Sequence, residues 1–170
     1  CRGYYDHGRP TVLVAYDLVN KKLKKRWKFL ADKDQNIEYT NQGNHNLAVG
    51  DIDGDGFDEI VYGSCAIDHD GTGIYSTGLE HGDAMHLGKF SPKAKQLDCF
   101  QIHEHSHVKY GLDLRNAGTG EIYWGVYTGR DTGRGLIANI DPRYEGCEIW
   151  ASGAGLYTYD GRLITKNEPK

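Results

Sequence analysis

Asn44–Gly63 reads N-H-N-L-A-V-G-D-I-D-G-D-G-F-D-E-I-V-Y-G. Asp51, Asp53 and Asp55 stand two residues apart, Gly56 follows, and Glu59 comes eight residues after Asp51, immediately before the apolar run Ile60-Val61-Tyr62. Calcium is a hard cation that takes about six to eight oxygens, and a tight loop supplies them from alternate side chains, a backbone carbonyl and a closing carboxylate. Asp51, Asp53, Asp55, Phe57 and Glu59 are the expected ligand positions. Gly54 and Gly56 let the chain turn without a Cβ clash. Without a metal the same string would be an Asp/Gly-rich hairpin turn, yet three carboxylates this close repel one another unless a cation neutralises them. The loop is not an EF-hand, because the closing acid comes at the ninth place and a β-type run follows where a helix should.

Moving outward, the stretch recurs, which fixes the organisation. His45-x-x-Ala48-x-Gly50 is echoed by His81-Gly82-Asp83-Ala84-Met85-His86-Leu87-Gly88 and by Arg134-Gly135-Leu136-Ile137-Ala138-Asn139-Ile140-Asp141. Each copy next reaches an acid before a strand: Glu59 before Ile60, Asp98 before Cys99-Phe100, Glu148 before Ile149-Trp150. Hairpins closed by Asp70-Gly71, Gly118-Thr119-Gly120 and Asp160-Gly161 separate the copies. A repeat of about 40 to 50 residues made of four short strands is the sequence form of a β-propeller blade. The expected fold is all-β, a β-propeller of which residues 1–170 supply about three to four blades of four-stranded antiparallel sheet. Three such units do not close a ring, so the chain reads as a fragment of a larger protein.

Composition agrees. Twenty-three glycines, twelve tyrosines and four prolines suit short strands joined by tight turns, and no stretch sustains helical periodicity. A net charge of −4 argues against a polyanion-binding surface, and the basic run Lys21-Lys22-Leu23-Lys24-Lys25-Arg26 reads as a solvated strand edge; no nucleic-acid partner is expected. No apolar run is long enough to span a membrane. Cys65, Cys99 and Cys147 sit in or beside apolar runs and read as buried thiols, while Cys1, like the others, belongs to no zinc pattern. Ahead of the repeats, Thr11–Tyr16 reads as a buried strand and Asp17–Lys22 as a turn. Leu23–Phe29 follows as a strand with Leu23, Lys25, Trp27 and Phe29 on one face.

The repeats are unequal as metal loops. Lys89 and Ser91 replace Asp51 and Asp53 in the second copy, whereas the third keeps Asn139, Asp141 and Glu148 around a longer insert. What precedes each loop is more specific. His45 and His81 take the same place in the motif, with Asn44 and Asp83 beside them, and Arg134 takes that place in the third copy. The histidines either cap their own hairpins or converge at the ring's open face. Arg134, flanked by Gly133 and Gly135, suits bidentate binding of a carboxylate or else forms a surface salt bridge. His103, His105 and His107 have strand-like spacing but read as a polar loop, because no apolar face is maintained around them. Neither a Ser-His-Asp arrangement nor a phosphate loop has local support.

Residues 43–63, 71–88, 119–135 and 141–158 resemble the rhamnogalacturonan lyases of the calcium-rich eight-bladed β-propeller type, polysaccharide lyase family 11. The resemblance covers nearly the whole chain. It implies β-elimination on the pectic backbone of alternating rhamnose and galacturonate, with Ca²⁺ as cofactor and a secreted or periplasmic location. It also implies that Asn44, His45, His81 and Asp83 surround a substrate-side calcium, that Arg134 is catalytic, and that Asp51–Glu59 and Asn139, Asp141 and Glu148 form structural sites. The family pattern further uses a lysine and a tyrosine from later blades, beyond Lys170, so the chain alone is expected to be inactive. A rival expectation is a non-catalytic calcium propeller module binding glycan or protein, as integrin-like repeats do.

Overall fold

The structure, a computed structural model, describes residues 10–167 and 169; Cys1 lies outside them. Strands β1 (Thr11–Val19) and β2 (Lys22–Ala31) form the first hairpin. Asn20 and Lys21, both at positive φ (50° and 63°), make a two-residue turn whose twist matches the strands. The expected turn over Asp17–Lys22 therefore shrinks, because Asp17–Val19 pair with Lys22–Lys24. A bulge at Arg26 shifts the register between Ala15 and Tyr16 and breaks the side-chain alternation of β2. Trp27 and Phe29 face the core, but Leu23 is 72% exposed and does not share their face.

Three four-stranded antiparallel sheets follow, each a simple meander. The first contains β3 (Ala48–Gly50), β4 (Glu59–Val61), β5 (Cys65–Ile67) and β6 (Gly73–Ser76). The second contains β7 (Met85–Gly88), β8 (Asp98–Ile102), β9 (Leu112–Asn116) and β10 (Ile122–Val126), and the third β11 (Gly135–Ala138), β12 (Glu148–Ala151), β13 (Gly155–Thr158) and β14 (Leu163–Thr165). Glu59, Asp98 and Glu148 each open the second strand of a sheet. The innermost strands adjoin in order, β3 beside β7 and β7 beside β11.

Apolar side chains fill the gaps between consecutive sheets. Ile60, Cys99 and Ile149 point back to the preceding unit, whereas Val61 and Phe100 point forward. One cluster joins the first hairpin to the first sheet through Leu13, Phe29, Tyr39 and Ile67. Val61, Ala66, Met85 and Cys99 join the first sheet to the second, and Phe100, Ile102, Ile137 and Ile149 join the second to the third. Burial pushes the Cys65 and Cys99 thiols up to about 12, which leaves them inert; Cys147 is half-buried.

A repeated lock identifies the first hairpin. The Trp27 indole donates to the His69 carbonyl (2.8 Å), and the Trp124 indole donates to the Tyr159 carbonyl (2.8 Å). Each indole lies where a Cβ on a turn glycine of the next sheet would stand, 2.8 Å away at Gly71 and 2.9 Å at Gly161, and Tyr75 meets Gly120 in the same way. Trp124 is on β10 and Tyr75 on β6, the outermost strands, so Trp27 marks β2 as an outermost strand too. Strands β1 and β2 thus hold the place of the outer pair of a preceding blade. The fold is all-β: three propeller blades and the outer half of one more.

Candidate functional site

The ladder pairings correct the motif alignment. Gly50 pairs with Glu59, Gly88 with Asp98 and Ala138 with Glu148. Counting back from these, His45 stands in register with Asp83, and Arg134 with Ala84; His81 lies two residues earlier. An isolated parallel bridge between Asn44 and Gly82 fixes the same alignment. The Ala48/Ala84 match misled because alanine follows both histidines at the same distance in differently placed turns.

His45, His81 and Asp83 nevertheless converge, with ligand atoms all within 4.8 Å of one another. His45 Nε2 is 3.2 Å and His81 Nε2 3.7 Å from Asp83 Oδ1, and the two rings meet edge-on at 4.9 Å. His81 is buried, and its Nδ1 lies 2.6 Å from the Gly43 carbonyl. A carbonyl can only accept, so Nδ1 carries a proton, and Nε2, which faces Asp83, is the ring nitrogen a metal would use. Asn44 is different: its Oδ1 accepts the His45 backbone N–H at 2.6 Å, which places it as a support of His45 rather than among the converging donors.

Glu104 was missed in the sequence. Its Oε2 lies 3.5 Å from His81 Nε2, and its backbone N–H donates to the His81 carbonyl (3.0 Å). The usable signal was the run His103-Glu104-His105, extended chain just beyond β8 whose successive side chains turn to different partners. His103 lies just past β8 in a loop, as expected, but it is fully buried: Nε2 is 2.7 Å from Asp113 Oδ2. Arg115 holds the same carboxylate with 2.9 Å bonds and extends to Gln101 and the Gly63 carbonyl. Burial alone would raise the Asp113 pKa, but Arg115 and His103 hold it below the ordinary range. His105 and His107 turn the other way, 2.7 and 3.3 Å from Glu80 Oε2.

Arg134 begins the third sheet at the end where His45 and His81 stand, since β3, β7 and β11 run in one direction. It is exposed, the one hydrogen bond of its guanidinium goes to the Gly133 carbonyl (3.2 Å), and no described acid pairs with it. Arg134 and Ser152 form the polar rim of an open cleft of about 440 Å³. Its apolar floor, Leu136 and Trp150, matches His86 and Phe100 in register and is therefore the forward packing face of the blade.

At the opposite end lie the loops between first and second strands. Asp51, Asp53 and Glu59 form one potential metal group, and Asp55, Glu59 and His69 an overlapping one. Asp51 accepts the Gly54 and Gly56 N–H groups, and Asp55 accepts that of Phe57. Fully buried Glu59 accepts the Ile52 N–H through Oε2 (2.9 Å), while its buried Oε1 has no hydrogen-bond partner. Burial, then Asp53, Asp55 and Asp68, push its pKa up despite that hydrogen bond. An orphaned buried oxygen amid acids fits a cation. His69, unforeseen, lies 2.6 Å from Asp68 Oδ1 and stacks on Phe57.

The other two loops differ. Asp98 accepts hydroxyl bonds from Tyr123 (3.1 Å) and Tyr159 (3.0 Å). Glu148 repeats Glu59: Oε2 accepts the N–H groups of Ile140 and Asp141, and buried Oε1 has no hydrogen-bond partner. Asp141, however, is clasped by Arg143, which holds its pKa down to about 2, and Asn139 is exposed.

Residues 1–170 match the family described as "Rhamnogalacturonan lyase family 11, C-terminal domain". The chain belongs to this family. It is 53% identical over 176 residues to the rhamnogalacturonan exolyase YesX of Bacillus subtilis strain 168, covering 99% of this chain and 28% of that protein. The endolyase YesW of the same organism is 52% identical over 168 residues, with 99% and 26% covered. The chain thus spans little more than a quarter of these family 11 lyases. Crystal structures of YesW and of exotype YesX superpose with TM-scores of 0.90 over 95% of the chain, and that of the Bacillus licheniformis lyase PL11 with 0.88 over 92% at 56% identity.

Proposed function

We propose that these residues form part of the catalytic propeller of a rhamnogalacturonan lyase that cleaves rhamnose–galacturonate linkages by metal-assisted β-elimination, and that the metal is calcium. The observation that supports this best is the convergence of His45, His81 and Asp83 at the end of adjoining inner strands, where Arg134 also stands without a described acid partner. A binding module held together by loop metals would need no such cluster.

In the reaction a base removes the galacturonate C5 proton, the electron pair forms the C4–C5 double bond, and the C4–O4 bond breaks. Negative charge grows on the carboxylate next to C5. Arg134 holds that carboxylate through two N–H groups, a preorganised charge that strengthens its interaction as the transition state forms. His45, His81, Asp83 and Glu104 would hold the calcium, with Asn44 supporting His45 and the Gly43 carbonyl holding the His81 Nδ1 proton. When bound, the ion polarises the carboxylate as a Lewis acid. Imidazole nitrogen suits zinc or iron better than calcium, so the identity of this ion needs its own test. Asp51, Asp53, Asp55, Glu59 and the main chain at Phe57 hold a structural calcium, for which an all-oxygen set is apt; Asn139, Asp141 and Glu148 are a second candidate set. On this reading the base and leaving-group acid come from the remaining blades of the parent, in keeping with a chain that spans little more than a quarter of its lyase relatives, and the 170 residues alone are expected to be inactive. The parent acts outside the cytoplasm on pectin.

The test uses the parent enzyme on rhamnogalacturonan, following the ultraviolet absorbance of unsaturated uronate. Chelation abolishes the signal and calcium restores it; restoration by zinc alone would overturn the metal assignment. Arg134→Ala lowers kcat by roughly 100-fold, the usual loss for one transition-state donor. Undiminished turnover in that variant removes Arg134 from the mechanism.

A further inference from the structure

The segment joining β10 to β11 carries a second arginine on the same end of the molecule. Arg130 Nη2 lies 3.4 Å from Ser152 Oγ, and Ser152 donates its backbone N–H to the Arg134 carbonyl (2.9 Å), so one turn residue links both cations. The segment itself is tied down. Thr128 Oγ1 lies 3.2 Å from the Arg130 carbonyl and 2.9 Å from Thr132 Oγ1, and the Arg134 N–H donates to the Thr132 carbonyl.

The guanidinium of Arg130 is also seated. Gly153 has φ of 69°, and a Cβ built on it would stand 1.9 Å from Arg130 Nη2 and 2.6 Å from its Cζ. The planar group lies against the glycine α-carbon, an approach no side chain at that position permits. The seat and the Ser152 hydroxyl together favour one orientation of this exposed side chain.

Most other described arginines spend their charge internally. Arg26, Arg115 and Arg143 hold Asp17, Asp113 and Asp141 at 2.9, 2.9 and 2.5 Å, and Arg162 lies over the Tyr144 ring. Arg130 and Arg134 alone among the described arginines have neither a described acid nor a ring against them. Two guanidinium groups on residues four apart, whose α-carbons are separated by no more than about 14 Å even in an extended chain, with no described acid paired to either, suit a ligand with carboxylates at intervals.

We infer that Arg130, seated on Gly153 and Ser152, is a second carboxylate-binding position that holds a galacturonate neighbouring the one engaged by Arg134. The inference rests on the lyase reading above. Arg130 positions the polymer and takes no part in bond breaking, so it acts on substrate affinity. A substrate with one galacturonate cannot use it.

The parent lyase carrying Arg130→Gln is compared with wild type on two oligosaccharides of the rhamnogalacturonan repeat, one with a single galacturonate and one with several. The KM for the longer substrate rises about tenfold or more, the loss of one charge-assisted pair, with kcat within a factor of about two, and the KM for the single-galacturonate substrate is unchanged. Arg130→Lys, which keeps the charge but not the planar fork, recovers part of the loss. An equal KM change on both substrates, no change on either, or a fall in melting temperature with KM intact would overturn the assignment. Retention of the slowed variant Arg134→Ala on immobilised rhamnogalacturonan, and its loss on adding Arg130→Gln, reads the site apart from turnover. Absence of unsaturated product from the wild type would instead defeat the lyase reading, leaving that retention assay to judge Arg130.

Discussion

The first and second blades place a buried acid at the same point, the first residue of the second strand, yet satisfy it in opposite ways. Glu59 keeps one oxygen without a hydrogen bond among the acids of its loop, whereas both Asp98 oxygens accept tyrosine hydroxyls, one of them from the next blade. The first would be completed by the structural cation proposed above; the second is complete in protein atoms. The difference shows that the recurring acid is a strand-start anchor whose burial calls for an electropositive partner; on the proposed reading, a metal is one of several able to serve. Lys89 and Ser91, which cost the second loop its acids, are tolerated because Tyr123 and Tyr159 took over.

The strongest way to break this comparison is Glu59→Gln. With calcium about 1,000-fold above its dissociation constant, bound ion stabilises the folded chain by about 4 kcal/mol, and the variant loses most of that. In chelator the sign changes, because a neutral amide no longer pays the desolvation of a carboxylate. Thermal melting of both proteins in each condition checks it; equal destabilisation with and without metal would mean that Glu59 is only a hydrogen-bond acceptor for Ile52.

The pH dependence follows from the same group. In the metal-free chain the Glu59 pKa is raised above its ordinary value by burial and neighbouring acids. Its stability contribution is therefore greatest at low pH and is lost as pH rises through that elevated value. Calcium needs the carboxylate, so binding strengthens over the same interval. The gap between calcium-loaded and chelated melting temperatures widens from acid to neutral pH; a gap that stays constant would place the metal away from Glu59.

Tyr159→Phe gives a smaller effect of a different kind. It leaves Asp98 Oδ2 buried without its donor, a loss of about 1–3 kcal/mol for an unmet polar group. Because no cation is involved, chelation leaves the loss unchanged. A calcium-dependent loss would show that the second loop retained a metal after all.

The blade count, the hairpin turns and the loop acids were legible because they depend on local spacing: Asp-x-Asp-x-Asp-Gly, alternating strands and glycines at turns. The partners of those acids were not. Tyr123, Tyr159 and Arg143 show nothing in sequence that distinguishes them from surface residues, since their meeting with Asp98 or Asp141 is settled by blade packing or by rotamer. The burial of His103 was hidden for the same reason. Its polar neighbours rightly suggested a loop, but Asp113 and Arg115, from the next strand, supply the charges that make its burial possible. The site histidines were found, though in the wrong register, because a turn of different length precedes each inner strand.

The third blade sits between the other two and offers the finest test. Glu148 has the orphaned oxygen of Glu59, but the loop position matching Asp55 is Arg143, whose guanidinium clasps Asp141. An internal cation thus competes for the carboxylate that a calcium would need. The pair is exposed at the arginine, so screening leaves it little influence on folding, and Arg143→Gln produces no resolvable change in the metal-free melting temperature. Its effect falls on metal binding, where removing the competing charge frees Asp141 to join Asn139 and Glu148. Calcium stoichiometry by metal analysis, or by calorimetric titration of the chelated chain, rises by one ion or shows one site tightened in the variant. An unchanged titration would mean that Asp141 and Glu148 cannot form a shell even when freed, and that a buried acid at a strand start can hold its place with neither metal nor tyrosine.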